Sequence, residues 1–350
     1  MKKLLLILTG GTIGSMVNND LHRDVYSKKT APILIDILRK SRSAYCNQEI
    51  DVIPALNTLS ENMTAEKWNV LIQILRESVK LDKYGGILIS HGTDTLHFTA
   101  PLVDFLMAGT NIPVIFVAAD KPLSDAASNG GKNFINGVEL IMNRIVKDGA
   151  WVVYQNSDRK SYLHRGTHLL QCENRTSDFF SSEKKLYSVK NTDSVVNDYN
   201  SAEISQINSI GNLSESPLIN SIGDFNNSVL WINPYAGINY GLYNIKGVKA
   251  VIHGLYHSET CSSESGNKGV ISFVKKCRKN NIDFYITPCH KETYDYASTK
   301  KVIDAGAKTL YKMTDNSAYI KIMISVSLGL AGDKQEEFLN KEYADEFIYE

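Results

Sequence analysis

The chain has 350 residues, 43% hydrophobic and 22% charged, which suits a soluble globular protein with one large or two medium domains and a sizeable core. Lys+Arg and Asp+Glu each total 38, and a formal net charge of zero argues against a nucleic-acid binder, which carries a basic excess or stripe. No segment approaches the roughly 20 apolar residues of a membrane span, and the cysteines, scattered without CxxC spacing, fit reduced thiols in a cytoplasmic protein better than a disulfide framework.

The opening MKKLLLILTGGTIGS could begin a secretory signal or form a buried strand. Its apolar run Leu4–Leu8 is shorter than a signal's apolar region, and no small-residue cleavage site follows before the polar NNDLHRD. A strand over Lys3–Thr9 is the better reading. Further strands are expected at Gly86–Ser90, Pro113–Ala119 and Trp151–Gln155, each short, apolar and partly β-branched or aromatic. Between the first two, MTAEKWNVLIQILRESVK repeats Trp68, Leu71, Ile72, Leu75 and Val79 at helical spacing, and Phe134, Val138, Ile141 and Ile145 repeat the pattern later. Strands separated by such helices imply a parallel α/β sheet, whose ligands bind beyond the strands' carboxyl ends.

Residues 183–228 are rich in Asn and Ser with little periodicity, and read as a connection between domains. The pentapeptide INSIG occurs in that region at 207 and again at 219, too short an echo to mark a repeat architecture. Beyond it, strands at Val229–Asn233, Lys249–Gly254 and Asp283–Pro288 alternate with helices near 266–279, 298–306 and 316–328. The expected organisation is a larger N-terminal parallel-sheet domain over 1–182, the connecting segment 183–228, and a smaller C-terminal α/β domain over 229–350. The terminal EEFLNKEYADEFIYE reads as a solvated face.

Two stretches could carry chemistry. In TGGTIG, paired glycines after a strand allow a tight turn and close approach of the backbone to a ligand. A phosphate-cradling loop is the poorer reading, since neither GK[ST] nor GxGxxG is present. In ILISHGTDTLHFTA, Thr93-Asp94-Thr95 stands where a strand ends and a helix begins, so an N-cap cluster would explain it as well. Two hydroxyl-bearing turns at strand ends of one sheet, with a carboxylate, make a constellation suited to nucleophilic attack on an amide or ester. His253 and His257 lack a third ligand for a metal, and a polar loop is the better account. Cys261 has no local signal of a nucleophile.

With TGGTI and HGTDT in this order and separation, the sequence resembles the asparaginase/glutaminase family of amidohydrolases over nearly its whole length. LSENMT before a Trp-bearing helix, PVIFVAADKPLSDAASNGGKNFINGV, and LHRGTHLLQ followed by FFSS are similar to further family segments, the last to the cytoplasmic bacterial type. The resemblance implies a two-domain asparaginase-type fold with the active site on the first domain. It implies hydrolysis of a side-chain amide, asparagine first and glutamine second, with no metal or organic cofactor, in a homodimer or homotetramer. By position, Thr12 resembles the nucleophile and Tyr26 the tyrosine that orients or activates it. Ser60 and Asp94 resemble the groups holding the substrate's α-carboxylate and α-amino group, and Thr93 the second catalytic threonine. Gly11, Gly92 and Ala119 fall at pocket-lining positions. A glycine turn of this kind could also offer backbone N–H groups to the tetrahedral intermediate.

The departures define the open questions. The family's proton-transfer lysine falls on Gln171, counted from Arg165-Gly166 and from Phe180-Ser181-Ser182. Glutamine can donate a hydrogen bond but cannot carry charge or take a proton near neutrality, and losing such a group costs about 10²–10⁴-fold. Lys121 and Lys160 are the nearest replacements in sequence. Glu61 stands where the family has Gln or Ser, and either favours an α-ammonium or serves the helix N-terminus. HGLYHSETCSSESG replaces a loop that in the family reaches toward a neighbouring subunit's site. Three functions compete: a working amidase, a protein that keeps the pocket but binds an amide ligand without turnover, and an amidase supplying ammonia to an amidotransferase partner. Neither an appended domain nor a tRNA-binding patch supports the third.

Overall fold

The computed structural model describes residues 2–17, 23–25, 27–182, 187–189, 217–264, 266–290 and 296–349. The chain divides into two compact units, Met1–Ser221 with Tyr343–Asp345, and Ile222–Glu342 with Glu346–Glu350. Most of the connecting segment expected at 183–228 lies outside the described residues.

In the first unit the elements run β1 (Lys3–Gly10), β2 (Ser15–Val17), β3 (Arg23–Val25), α1 (Ser27–Lys40), β4 (Ile50–Thr58), α2 (Ala65–Leu81), β5 (Tyr84–Ser90), α3 (Leu96–Met107), β6 (Val114–Val117), α4 (Gly130–Met142), β7 (Ala150–Gln155), β8 (Ser161–Arg165) and β9 (Tyr187–Val189). The main sheet has seven strands in the order β4-β1-β5-β6-β7-β8-β9. From β4 to β7 all pairings are parallel, and β8 and β9 turn antiparallel. The carboxyl ends of β4, β1, β5 and β6 therefore share one edge.

The opening apolar run is the buried strand. Leu4 to Leu8 are at most 1% exposed because β1 lies inside the sheet, covered on both faces. Leu4, Leu6 and Leu8 join Leu34, Phe134 and Val138 in one core cluster, while the pleat turns Leu5 and Ile7 to the opposite face. Trp68, Leu71, Ile72 and Leu75 of α2 are buried as their spacing predicts, but Ser78 takes the last inward position instead of Val79. Its hydroxyl donates to the Ile74 carbonyl, which lets a small polar residue sit there. Trp68 Nε1 donates to Thr99 Oγ1 at 3.0 Å and fastens α2 to α3.

In the second unit, β10 (Val229–Ile232), β11 (Ala250–Gly254), β12 (Asp283–Cys289) and β13 (Lys308–Tyr311) form a four-stranded parallel sheet in chain order. Its helices are α5 (Val270–Lys279), α6 (Ala297–Asp304), α7 (Asp315–Ser327) and α8 (Asp333–Asn340). The core gathers Ile232, Tyr240, Val251, Phe273 and Phe284. The terminal stretch is a correction to its reading as a solvated face: Phe338 and Leu339 are buried, and Glu346 is wholly enclosed. Lys321 Nζ, equally enclosed, reaches Glu346 Oε1 at 2.6 Å. Two buried charges persist here because each is the other's partner.

Candidate active site

The site is built at the carboxyl edge of β4, β1 and β5. Between β1 and β4 the register jumps from Leu8 opposite Pro54 to Gly10 opposite Thr58. Beyond that irregularity Gly11 donates its amide to the Thr58 carbonyl at 3.0 Å. Gly11 holds φ 78°, open to glycine and strained for other residues. A short 3₁₀ turn, Thr12–Gly14, follows and leaves Thr12 half-buried at the strand's end. Ser15 Oγ donates to the Thr12 carbonyl at 2.9 Å.

Three loops meet at close quarters. A Cβ on Gly11 would stand 2.2 Å from the Gly92 nitrogen, and one on Gly92 would stand 2.4 Å from Ser60 Oγ. Only glycine at both positions permits this approach. Ser60 opens another 3₁₀ turn, Ser60–Asn62, after β4, and is 4% exposed. Its hydroxyl donates to Asp94 Oδ2 at 3.1 Å and accepts the Asp94 amide at 3.3 Å. Thr95 Oγ1 donates to the Ser60 carbonyl at 2.8 Å. Thr93 is half-buried and Asp94 exposed, so both remain open to a ligand. Below them, Thr9 Oγ1 donates to the Ser90 carbonyl at 2.6 Å, and His91 gives its amide to Val117 at 3.0 Å. These bonds lock the ends of β1, β5 and β6 together.

The structure thus brings together Gly11, Thr12, Ser60, Gly92, Thr93 and Asp94. Ala119 is buried just past β6, and a Cβ on Gly130 would meet both its side chain and Ile13, which places it beside the Thr12 turn. Glu61 is exposed. Tyr26 lies outside the described residues.

Gln171 is exposed on a hairpin that pairs Leu169 with Ser181, with the Leu170 amide on the Phe180 carbonyl at 2.9 Å. Its neighbour Cys172 lies within electrostatic reach of Asp94. Burial, then the charges of Asp94, Asp178 and Glu173, push this thiol up to about 12, so it stays protonated and unreactive. Of the two replacement lysines, Lys121 lines a cavity of about 190 Å³ with Asp120, Tyr154, Arg159 and Asp178. Lys160 is exposed after β7, its amide on Asp158.

Sequence reasoning passed over three groups. Lys67, near the start of α2, donates to Thr58 Oγ1 at 2.8 Å and to the Asn62 carbonyl, astride Ser60. Its one signal in the sequence was a cation in a helix's first turn, where the macrodipole disfavours one. His91 and His97 are buried, and desolvation holds both imidazoles down to about 4 against the pull of the Asp94 charge. Both are therefore neutral at pH 7. His253, weighed as a metal ligand, is buried in β11 and bonded to Tyr240 Oη at 2.8 Å. Among the described residues no group of three or more His, Cys, Asp or Glu could hold a metal ion.

Below the site, Arg165 Nε lies 2.8 Å from Asp104 Oδ2, with Asp104 fully buried. Asp104 also accepts the Ala150 amide at 2.8 Å and the Thr167 amide at 3.2 Å. This pair joins α3 to the chain that leads into the Gln171 hairpin.

The N-terminal asparaginase family model matches residues 3–202, more than half of the chain. Two relatives, each named as a subunit of glutamyl-tRNA(Gln) amidotransferase, are similar along nearly the whole sequence. The one from Methanobrevibacter smithii is 26% identical over 99% of this chain and 77% of its own. That from Thermoplasma volcanium is 27% identical over 97% and 78%. The fold is shared with the thermostable L-asparaginase from Thermococcus kodakarensis, with TM-score 0.75 and 19% identity over 99% of this chain and all of that one. It is shared also with L-asparaginase I from Vibrio cholerae, with TM-score 0.70 and 20% identity over the full length of both. With its two-unit α/β architecture and its glycine turns meeting at the strand ends, the chain belongs to the asparaginase family.

Proposed function

We propose that this protein is an amidohydrolase acting on the side-chain amide of a free amino acid, asparagine first and glutamine second. The observation that carries the reading is the convergence of Thr12, Ser60, Thr93 and Asp94 at the carboxyl ends of three adjacent strands. Thr12 Oγ attacks the amide carbon, ammonia leaves, and water releases the acid from the acyl-enzyme. Asp94 holds the α-ammonium, Ser60 the α-carboxylate, and Thr93 assists proton transfer. By the family resemblance, Tyr26 is the residue expected to orient or activate the nucleophile. Gln171 supplies a hydrogen bond but no charge, and the neutral His91 and His97 and the protonated Cys172 do not replace a lysine. Turnover is accordingly slower than a lysine at that position would give.

The protein works in the cytoplasm as a homodimer or homotetramer, without cofactor. Among the described residues no helix is long and apolar enough to cross a membrane.

A second reading follows from the relatives named as amidotransferase subunits, which match nearly all of this chain. In it the same site releases ammonia to a partner protein. Ammonia release from a panel of amino-acid amides, with Thr12→Ala as control, tests the first reading. Turnover that persists in Thr12→Ala removes Thr12 as nucleophile. Release that is negligible for every free amide, yet present once a partner is added, favours the second.

A further inference from the structure

Lys67 stands in the first turn of α2, beside Glu66. That turn exposes unpaired amide N–H groups and the positive end of the helix dipole, which suit Glu66 and oppose a cation. Glu66 gains from its place: hydrogen bonds from Thr64 and from its own amide hold its carboxyl below the usual range. Lys67 is nevertheless half-buried, and its ammonium is directed at two acceptors on one short loop. A local rule broken without gain to the helix marks a residue retained for something else.

The two acceptors explain what that is. Thr58 closes β4 and gives its carbonyl to the amide of Gly11, next to Thr12. Asn62 ends the 3₁₀ turn that presents Ser60. Lys67 thus spans the loop from 58 to 62 and braces the residue whose hydroxyl meets Asp94 and whose carbonyl meets Thr95. An ammonium has three donors, and these acceptors occupy two. Around Ser60 stand charges of both signs, the Asp94 carboxylate on its hydroxyl and the Lys67 ammonium on the residues two before and two after it.

We propose that Lys67 is a positioning and specificity-determining residue. It fixes the Ser60 turn and biases the pocket toward amide substrates that keep a free carboxylate at the Ser60 end. The proposal rests on the amidase reading above. Its test compares ammonia release from asparagine and from asparagine α-methyl ester, which lacks that negative charge. Lys67→Met is expected to raise KM for asparagine about tenfold, with kcat changed less than twofold. KM for the ester should move less than twofold, and Lys67→Arg should stay within threefold of wild type for both. Equal shifts for the two substrates, or no shift for either, overturn the proposal.

Should Lys67→Met not fold, judged by circular dichroism, Lys67→Gln takes its place in the same comparison. If wild type releases no ammonia from any amide, the amidase reading fails separately. The inference is then read by calorimetry with L-aspartate and its α-methyl ester. Weakening by Lys67→Met confined to the free carboxylate sustains it, and absent or equally weakened binding overturns it.

Discussion

At Gly92 a hydrogen atom is all that separates the backbone from Ser60. A methyl group there would fall 2.4 Å from Ser60 Oγ and 2.6 Å from Ser60 Cβ. Gly92→Ala is therefore expected to displace Ser60, break its hydrogen bond to Asp94, and cost about 1–3 kcal/mol through overpacking. Adding Ser60→Gly should restore most of the melting temperature but not ligand binding. If Gly92→Ala melts with wild type and binds normally, the three loops do not touch as described. Gln171 offers the opposite kind of change. Gln171→Lys should raise kcat for asparagine about tenfold, equivalent to ~1.4 kcal/mol of transition-state stabilisation. Steady-state kinetics that show no gain would separate Gln171 from the chemistry. The TGGTI and HGTDT motifs were legible because each sets glycine and hydroxyl residues at the end of an apolar strand, a pattern that exists in one dimension. Lys67 was not, since its meaning lies in acceptors at Thr58 and Asn62 that only the folded loop brings to it.

Among elements, those with an unbroken apolar run or a regular helical spacing were readable and those with an interrupted pattern were not. β1, β5 and β7 are enclosed by the sheet, so their sequences are continuously apolar. β4 escaped because it is the outer strand, only partly buried and interrupted by Pro54, which an edge can accommodate. α1 escaped because Pro32 breaks its pattern, although the helix contains it. The Asp104–Arg165 pair shows how elements are joined by an interaction that composition conceals. Burial pushes the Asp104 carboxyl up to about 7, opposed by Arg165 and by the amides of Ala150 and Thr167. Arg165→Met would leave this carboxylate enclosed without a cation. The expected cost is about 3–5 kcal/mol, visible as an earlier urea midpoint. A loss below about 1 kcal/mol would mean that Asp104 is already neutral in the folded protein.

For the whole molecule, buried histidines set the response to acid. Burial holds His91, His97 and His253 down to about 4 and His164 to about 3, against 6.5 when unfolded. Lowered values mean that the unfolded chain takes up protons first as pH falls. The stabilisation from these residues is whole above about pH 6.5 and is lost as pH drops toward 4, each histidine contributing up to ~1.4 kcal/mol per pH unit. Asp104, raised toward 7, and Asp315, raised to about 6, act in the other direction within the same window and offset part of this loss. Melting temperature should fall steadily from pH 7 to pH 5, and a flat profile would show that the imidazoles are not desolvated.

By itself the sequence determined the α/β class, the strand that leads to Thr12, and the family, because hydrophobic period and short motifs are properties of neighbours in the chain. The tertiary structure decided which loops touch, which charges are paired and which are stranded. The turns at Gly11, at Thr58–Ser60 and at Gly92–Asp94 are far apart in sequence and meet only because parallel pairing of β4, β1 and β5 aligns their carboxyl ends. The enclosure of Lys321 with Glu346 had the same origin: a charged tail reads as solvated until a partner of opposite sign is brought to it across the fold.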